Sequence, residues 1–424
     1  MKIVMLVDNG VDGDSRVQKT ARSAAESGWG VTLLGVGAAP RTWRLGGAEV
    51  RVLPMPAARP ATGLKARLVQ RGGFPLRAAR LLRKPWEYAR TWYWQAREGD
   101  RAWRRLEPGL WNYERALGPA IDELEPDLLY ANDFRMLGVA ARAKQRSAKP
   151  VKLIWDAHEY LPGVRPWRDN AYWLPAHRAH EREYAPSADA VVTVSDTLAE
   201  LLQREHHLDE RPTVVLNAPD VSSDETGEVP DLRKLCGVDD DTPLLVYSGS
   251  ISKQRGLDTA VGALRLLAGV HLAIVCGDPD APHVRELTAR HERVHAVSYV
   301  PYWQVVPFLS RADAGLIPIH RWPNHELALI TKFFEYAHAG LPIVVSDVRT
   351  MAATVRRTGQ GEVFRAKDVN DFAAAVRRVL ADPQRYRAAY ARPDSPVRDW
   401  TWAAQATKLD ALYRRLAPSQ DVAR

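Results

Sequence analysis

Residues 2–37 read KIVMLVDNGVDGDSRVQKTARSAAESGWGVTLLGVG. Lys2–Val7 is a short apolar run ending in Asp-Asn-Gly. A helical pattern follows from Ser15, and Gly28 stands where that helix stops. Val31–Val36 is a second apolar run. The order β–loop–α–β is the unit of a parallel sheet with helices on its faces. The theme continues with strands at Asp127–Ala131, Lys152–Trp155, Ala190–Val194 and Thr213–Leu216, and a helix at Asp196–Arg204.

The texture changes at Asn217–Asp241, which is acidic, weakly periodic and carries Pro, Gly and Ser. The alternation then restarts. Strands are expected at Leu244–Tyr247, His271–Cys276, His295–Tyr299, Ala314–Pro318 and Ile343–Ser346. Helices fall at Leu257–Ala268, Trp303–Ser310 and Thr331–Ala339, and a last one at Trp400–Leu416 follows Pro393 and Pro396. The pattern predicts two α/β domains of similar size, at 1–217 and 243–395, with a linker at 218–242 and a terminal helical segment at 396–424. Two doubly wound domains place a cleft between them, and their ligands bind outside the carboxyl ends of the strands. The loops that follow strands are therefore where chemistry is sought.

Composition narrows the classes. The chain has 424 residues and a net charge of +8, with 26% charged and 46% hydrophobic residues, as in ordinary globular proteins. Gly 27 and Pro 29 exclude a collagenous or low-complexity chain. No apolar run approaches the roughly 18–20 residues that cross a bilayer, and the start lacks the apolar core of a signal peptide. Cys236 and Cys276 are too few for a disulfide framework or a Cys-rich zinc site. A reducing cytoplasm is expected, with both thiols acting as small hydrophobes.

The charge is concentrated. Arg59–Arg105 holds 13 Lys/Arg against Glu87, Glu98 and Asp100, interleaved with Phe74, Trp86, Tyr88, Trp92, Tyr93, Trp94 and Trp103. Such a stretch, within a basic aromatic segment spanning 59–118, suits peripheral contact with an anionic membrane surface through 59–105, or an anionic acceptor. It equally suits solvated surface helices whose Trp residues pack inward. Nucleic acid is not expected, because no zinc-finger spacing or RNA-binding sheet motif is present.

Four loops stand out. In Asp8–Arg16, Gly10 and Gly13 allow close backbone approach, Ser15 is an expected N-cap, and Arg16 in the first turn opposes the helix dipole and so points to an anionic partner. The spacing is not G-x-G-x-x-G, which disfavours a nicotinamide cofactor. In Trp155–Tyr160, Asp156, His158 and Glu159 follow a strand, and His158 suits polar contact or proton transfer near neutral pH. It equally suits a cap on the next helix, and the segment supplies too few ligands for zinc. In Ser248–Gly256, Gly249, Lys253, Arg255 and Gly256 resemble an anion cradle at a helix N-terminus, without a Walker A pattern. In Asn324–Asp347, Thr331 is an expected N-cap, and Glu335 one turn in is placed to accept two ribose hydroxyls.

At Lys332–Val344, KFFEYAHAGLPIV resembles the donor-site signature of glycosyltransferase family 4, whose members are retaining enzymes of GT-B fold. The likeness runs along nearly the whole chain. Asp14–Val17, Asp156–Glu159, Ala188–Ser195, Val215–Asp220, Ser248–Gly256 and Trp400–Tyr413 stand in the family's order. The resemblance implies two Rossmann-like domains facing a cleft, with the C-terminal helix crossing back to the first. It implies a nucleoside diphosphate sugar held by Gly249, Ser250, Lys253, Arg255 and Gly277 on one side and by Leu327, Thr331, Lys332 and Glu335 on the other. Glu335 would take the ribose, while Lys253, Arg255 and Lys332 would take the diphosphate. His158, Lys332 and Arg255 would carry catalysis, with His158 near the transferred sugar. Gly10, Gly13, Arg16, Asp156 and Glu159 would border the acceptor or a phosphate.

No metal or other cofactor is implied, since cations and a helix dipole stabilise the leaving diphosphate. Two departures are visible. The family commonly has an Arg five residues before its phosphate Lys, and these positions here hold Ser250 and Arg255. The family's first Glu falls at Leu327, with Glu326 one position off. The expected reaction moves a hexosyl group to a hydroxyl of an anionic or lipid-linked glycan, a glycolipid or a small metabolite, by front-face attack. A nucleotide-sugar 2-epimerase and a non-catalytic nucleotide-sugar- or membrane-binding subunit are the alternatives.

Overall fold

The computed structural model describes residues 1–56, 73–164, 166, 170–221 and 227–417. Arg59, Lys65, Arg67 and Arg71 of the basic segment lie outside the described residues. The chain divides into two compact units. The first comprises Met1–Val215 with Lys408–Arg424, and the second Leu216–Thr407.

The first unit is built on the opening strand. Its strands are β1 (Lys2–Leu6), β2 (Gly30–Gly37), β3 (Arg41–Leu45), β4 (Ala48–Pro54), β5 (Leu128–Asn132), β6 (Lys152–Ala157), β7 (Ala190–Thr193) and β8 (Thr213–Val214). They form one sheet in the order β3-β4-β2-β1-β5-β6-β7-β8, parallel except where β3 pairs antiparallel with β4. The β5 side chains are all buried, as a strand covered on both faces requires. Helices α1 (Ser15–Glu26), α2 (Gly73–Glu98), α3 (Trp111–Leu124), α4 (Asp133–Arg146), α5 (Trp173–Tyr184) and α6 (Asp196–His206) connect the strands.

The hairpin of β3 and β4 lies outside the expected elements. Its signal is a short alternation, with Ala48, Val50 and Val52 buried between half-exposed Glu49 and Arg51. Ser15 is not the N-cap of α1 either. Asp14 takes that place and accepts from the Val17 amide, because its carboxylate reaches the open N–H groups of the first turn.

The second unit repeats the scheme with β9 (Leu244–Ser248), β10 (His271–Cys276), β11 (Val294–Ser298), β12 (Ala314–Ile317), β13 (Ile343–Ser346) and β14 (Gly361–Phe364). All pair in parallel, in the order β11-β10-β9-β12-β13-β14. The main helices are α7 (Leu257–Ala263), α8 (Thr331–His338), α9 (Arg349–Thr358) and α10 (Val369–Ala381). The stretch expected as a linker is partly structural. Ala218 and the short helix Leu232–Cys236 deliver Ala218, Leu232 and Cys236 to the core formed with Phe308, Phe333 and Trp400. Burial pushes the Cys236 thiol up to about 11, so it is inert packing.

The last helix, α11 (Trp402–Leu416), is shared between the units along its length. In the first unit, the Trp29 indole donates to Asp410 at 2.8 Å, and the Tyr413 ring meets Tyr130 edge-on at 6.1 Å.

In each sheet the order reverses beside the first strand: between β1 and β5 in the first unit, and between β9 and β12 in the second. The chain ends that leave these strands are the switch points where such sheets bind ligands.

Gly315 in β12 lies under the Tyr336 ring, where a Cβ would come within 2.4 Å of the ring carbon. The ring cannot withdraw, because Tyr336 Oη accepts from the Ser248 amide at 2.9 Å. Gly315→Ala is therefore expected to cost about 1–3 kcal/mol through overpacking. Thermal unfolding followed by circular dichroism should show the melting temperature lowered by at least about 2–4 °C.

Candidate functional site

In the first unit, the switch point gathers residues from four elements around Asp156. Asp156 lies one residue before the end of β6 and has no exposed surface. Its carboxylate accepts from Arg16 Nε at 3.1 Å and Arg16 Nη2 at 2.9 Å, and from the Tyr130 hydroxyl at 2.6 Å. Arg16 also donates to the Val215 carbonyl at 2.8 Å. His158 Nε2 lies 3.1 Å from Asp156, and its Nδ1 lies 3.5 Å from Asp133. Burial alone raises a carboxylic acid, but Arg16 and His158 hold Asp156 far below the ordinary range.

These contacts revise two expectations. Arg16 was expected to face an anionic partner, and the anion it meets is Asp156, with only 4% of Arg16 exposed. A first-turn cation needs a counter-charge, and a buried carboxylate from a neighbouring strand supplies it. His158 was expected to suit proton transfer near neutral pH. Burial works against its charge, yet Asp156 and Asp133 outweigh burial and raise it from 6.5 to about 10. That direction favours the imidazolium, which suits charge more than proton abstraction.

Around this hub lie groups the sequence reading did not single out: Asp8, Tyr130, Asp133 and Arg135. Asp133 opens α4 at φ +62°, and Arg135 pairs with Asp8 at the end of β1. The available signal was position, since Asp133 directly follows a strand. Glu159 is raised by burial and then by Asp133. Gly13 at φ +79° and Val11 at φ +72° shape the loop after β1, and Arg41 donates to the Gly10 carbonyl at 3.1 Å.

In the second unit, the loop after β9 packs against the start of α8. The Gly249 amide donates to the Val275 carbonyl at 2.9 Å, and the Tyr247 hydroxyl donates to the Ser250 carbonyl at 2.6 Å. Lys253–Arg255 forms a tight 3₁₀ turn that closes on Gly256 at φ +73°. A Cβ on Gly256 would lie 1.8 Å from the Pro318 carbonyl oxygen at the end of β12, so only glycine lets the two switch-point loops meet.

Lys332 sits beneath this loop. Its Nζ lies 3.6 Å from the centre of the Tyr247 ring, and a Cβ on Gly249 would reach within 2.8 Å of it. Lys332 is 92% buried and its ammonium donates no hydrogen bond among the described residues. Burial first, then the neighbouring Arg255, pushes its pKa well below the usual lysine range, against the pull of Glu335.

The other expected donor residues divide. Thr331 is the first residue of α8 rather than its cap, and its hydroxyl accepts from Asn217 at 2.9 Å. A side chain already inside the helix cannot reach the amides a cap serves. Leu327 is buried at the end of the short helix Pro323–Leu327. Glu326 beside it accepts from the Arg349 amide at 2.7 Å, and so is engaged at the N-terminus of α9. Gly277 follows β10 against the half-exposed Tyr299 ring, where a Cβ would meet that ring at 3.3 Å.

The family model described as Glycosyltransferase Family 4 matches residues 15–223, and that described as Glycosyl transferases group 1 matches residues 242–382. The chain belongs to the family 4 glycosyltransferases. Glycogen synthase of Mycobacterium tuberculosis is 32% identical over 180 residues, covering 40% of this chain and 42% of that protein. The chain thus spans about two-fifths of that relative's length. Alpha-maltose-1-phosphate synthase of Mycolicibacterium smegmatis is 27% identical over 293 residues, covering 62% of this chain and 73% of the relative. Among solved structures, a sucrose-phosphate synthase from Thermosynechococcus elongatus aligns with TM-score 0.71 at 17% identity, over 98% of this chain and 99% of that one. Anabaena HepE in complex with UDP-glucose aligns with TM-score 0.66 at 14% identity, over 98% and 100%. At these identities the structures establish the fold of this family 4 member, which is GT-B, with two Rossmann-like units.

The His158 environment predicts a pH signature. Its folded value is raised above 6.5, so the stability it contributes is complete below pH 6.5 and is lost as pH rises through about 10. His158→Gln removes that term. Between these limits the wild type should lose more melting temperature than the variant, as measured by differential scanning calorimetry across pH. Parallel curves would refute the assignment.

Proposed function

We propose that this chain is a retaining, metal-independent hexosyltransferase that moves a sugar from a nucleoside diphosphate to an acceptor hydroxyl. The observation that carries the reading is the buried ammonium of Lys332 beneath the glycine loop, which donates no hydrogen bond among the described residues. An isolated buried cation is costly in an empty protein. A diphosphate resting on that loop supplies a counter-charge to the Lys332 ammonium.

Lys332, Lys253 and Arg255 then stabilise the diphosphate as the bond from the anomeric carbon to its phosphate oxygen breaks. The acceptor oxygen forms the new bond on the same face, and its proton leaves to the diphosphate or to solvent. Glu335 holds the ribose hydroxyls. With Glu326 occupied at the start of α9, hydroxyls of the sugar fall to other groups of the site. The first unit serves the acceptor, which is anionic or lipid-linked, and the imidazolium of His158 acts there by charge rather than by proton abstraction. The reaction is placed on the cytoplasmic side of the membrane. UDP-glucose, seen with Anabaena HepE, is the first donor to try.

Lys332→Met separates site from scaffold. Removing an unpaired buried cation should leave the melting temperature unchanged or higher. The same variant should lose the rise in melting temperature that a nucleoside diphosphate gives the wild type, and turnover should fall by at least about a hundredfold, the scale of losing one transition-state charge contact. Retention of both would misplace the donor site. Sugar conversion without any acceptor would favour the 2-epimerase.

A further inference from the structure

The helix α2 carries an outward face that is exposed among the described residues. Trp86, Tyr88, Trp92 and Tyr93 are 66, 62, 73 and 48% exposed, and they are among the exposed large hydrophobic side chains of the described residues. At 100° per residue, Tyr88, Trp92, Pro85, Ala96, Ala89, Tyr93 and Trp86 follow one another around an arc of about 160°. All seven are exposed and the arc contains no charged residue. Its edges are basic, with Arg97, Arg90 and Arg83 along one side and Lys84 along the other.

The opposite face anchors the helix. Glu87 is buried and accepts from the Ala171 amide at 3.1 Å, Thr91 is buried, and Trp94 packs under Arg105. Thus the aromatic residues do not point outward for want of a core. The helix already has a buried side, and a second apolar side faces solvent.

We propose that this face of α2 docks the protein onto an anionic lipid surface. The residue types argue for lipid over a protein partner. Trp and Tyr have an apolar body and a polar tip, which suits the boundary between headgroups and acyl chains. The cations on the two edges sit where lipid phosphates would lie. Glu87 answers one edge cation, pairing with Arg83 at 2.6 Å, and Glu98 pairs with Arg105 at 3.3 Å, so the exposed Arg97 is the edge cation on which the charge attraction chiefly rests. Among the described residues no helix is long and apolar enough to cross a membrane, so the contact is peripheral. The inference is independent of the donor assignment.

The test sediments the full chain with vesicles of phosphatidylcholine alone or with about one-third phosphatidylserine. The wild type should bind the anionic vesicles, and added salt should weaken binding. Trp86→Ser with Trp92→Ser should cost about tenfold or more in partitioning, and Arg97→Glu severalfold. All three positions are exposed, so each variant should melt like the wild type, which calorimetry checks. Absence of binding to anionic vesicles overturns the proposal, as does equal binding by the aromatic variant. A concentration-dependent dimer in analytical ultracentrifugation that the aromatic variant abolishes also overturns it, because the face would then join two copies of the chain.

Discussion

Arg16 and Asp156 are 140 residues apart, and the fork between them is the contact around which the first unit is organised. One residue lies in the first turn of α1 and the other one residue before the end of β6, so the pair fixes the loop after β1 relative to the far half of the sheet. The same guanidinium holds the Val215 carbonyl at the last described residue of the first unit's main segment. Buried charge is tolerated there because Asp156 is answered on several sides: it accepts from two guanidinium nitrogens and a phenol, and the His158 ring lies 3.1 Å away. A saturated network of this kind is rigid and costs little, whereas removing one partner exposes the full desolvation penalty.

The second unit treats its buried cation in the opposite way. Lys332 has an aromatic face beneath it and a glycine above it, and among the described residues no carboxylate or carbonyl accepts a hydrogen bond from it. The contrast separates scaffold from site. A buried charge that is fully answered within the chain holds the fold together, while one that donates no hydrogen bond among the described residues at a switch point is the observation behind the proposed anion site. Tyr247, Tyr336 and Gly249 make the position possible, and each does so through shape and a single hydrogen bond rather than through charge.

Much of this was legible in the residues. The strands His271–Cys276 and Ile343–Ser346 lie where their apolar runs placed them, because parallel strands buried on both faces have continuous apolar sequences. The hairpin of β3 and β4 was harder to see. It lies at the sheet edge, where half its side chains are solvated and the pattern is short. Ser15 and Thr331 suit caps by type, but the residue before each helix is Asp14 and Ile330; the Asp14 carboxylate reaches an open amide, and no side chain caps the helix after Ile330.

The sequence alone determined the periodicities, and with them two α/β units, the glycines of the anion loop and the family signature at Lys332–Val344. It also determined the basic and aromatic character of α2. Only the tertiary structure decided which charges were already answered. Arg16 and Lys332 are both cations near a helix start in the sequence, and nothing local distinguishes them. Asp156 comes to Arg16 from another strand, and among the described residues no carboxylate accepts a hydrogen bond from Lys332. A pKa depends on what surrounds a group in space, and that neighbourhood is set by strand order, which no window of sequence contains.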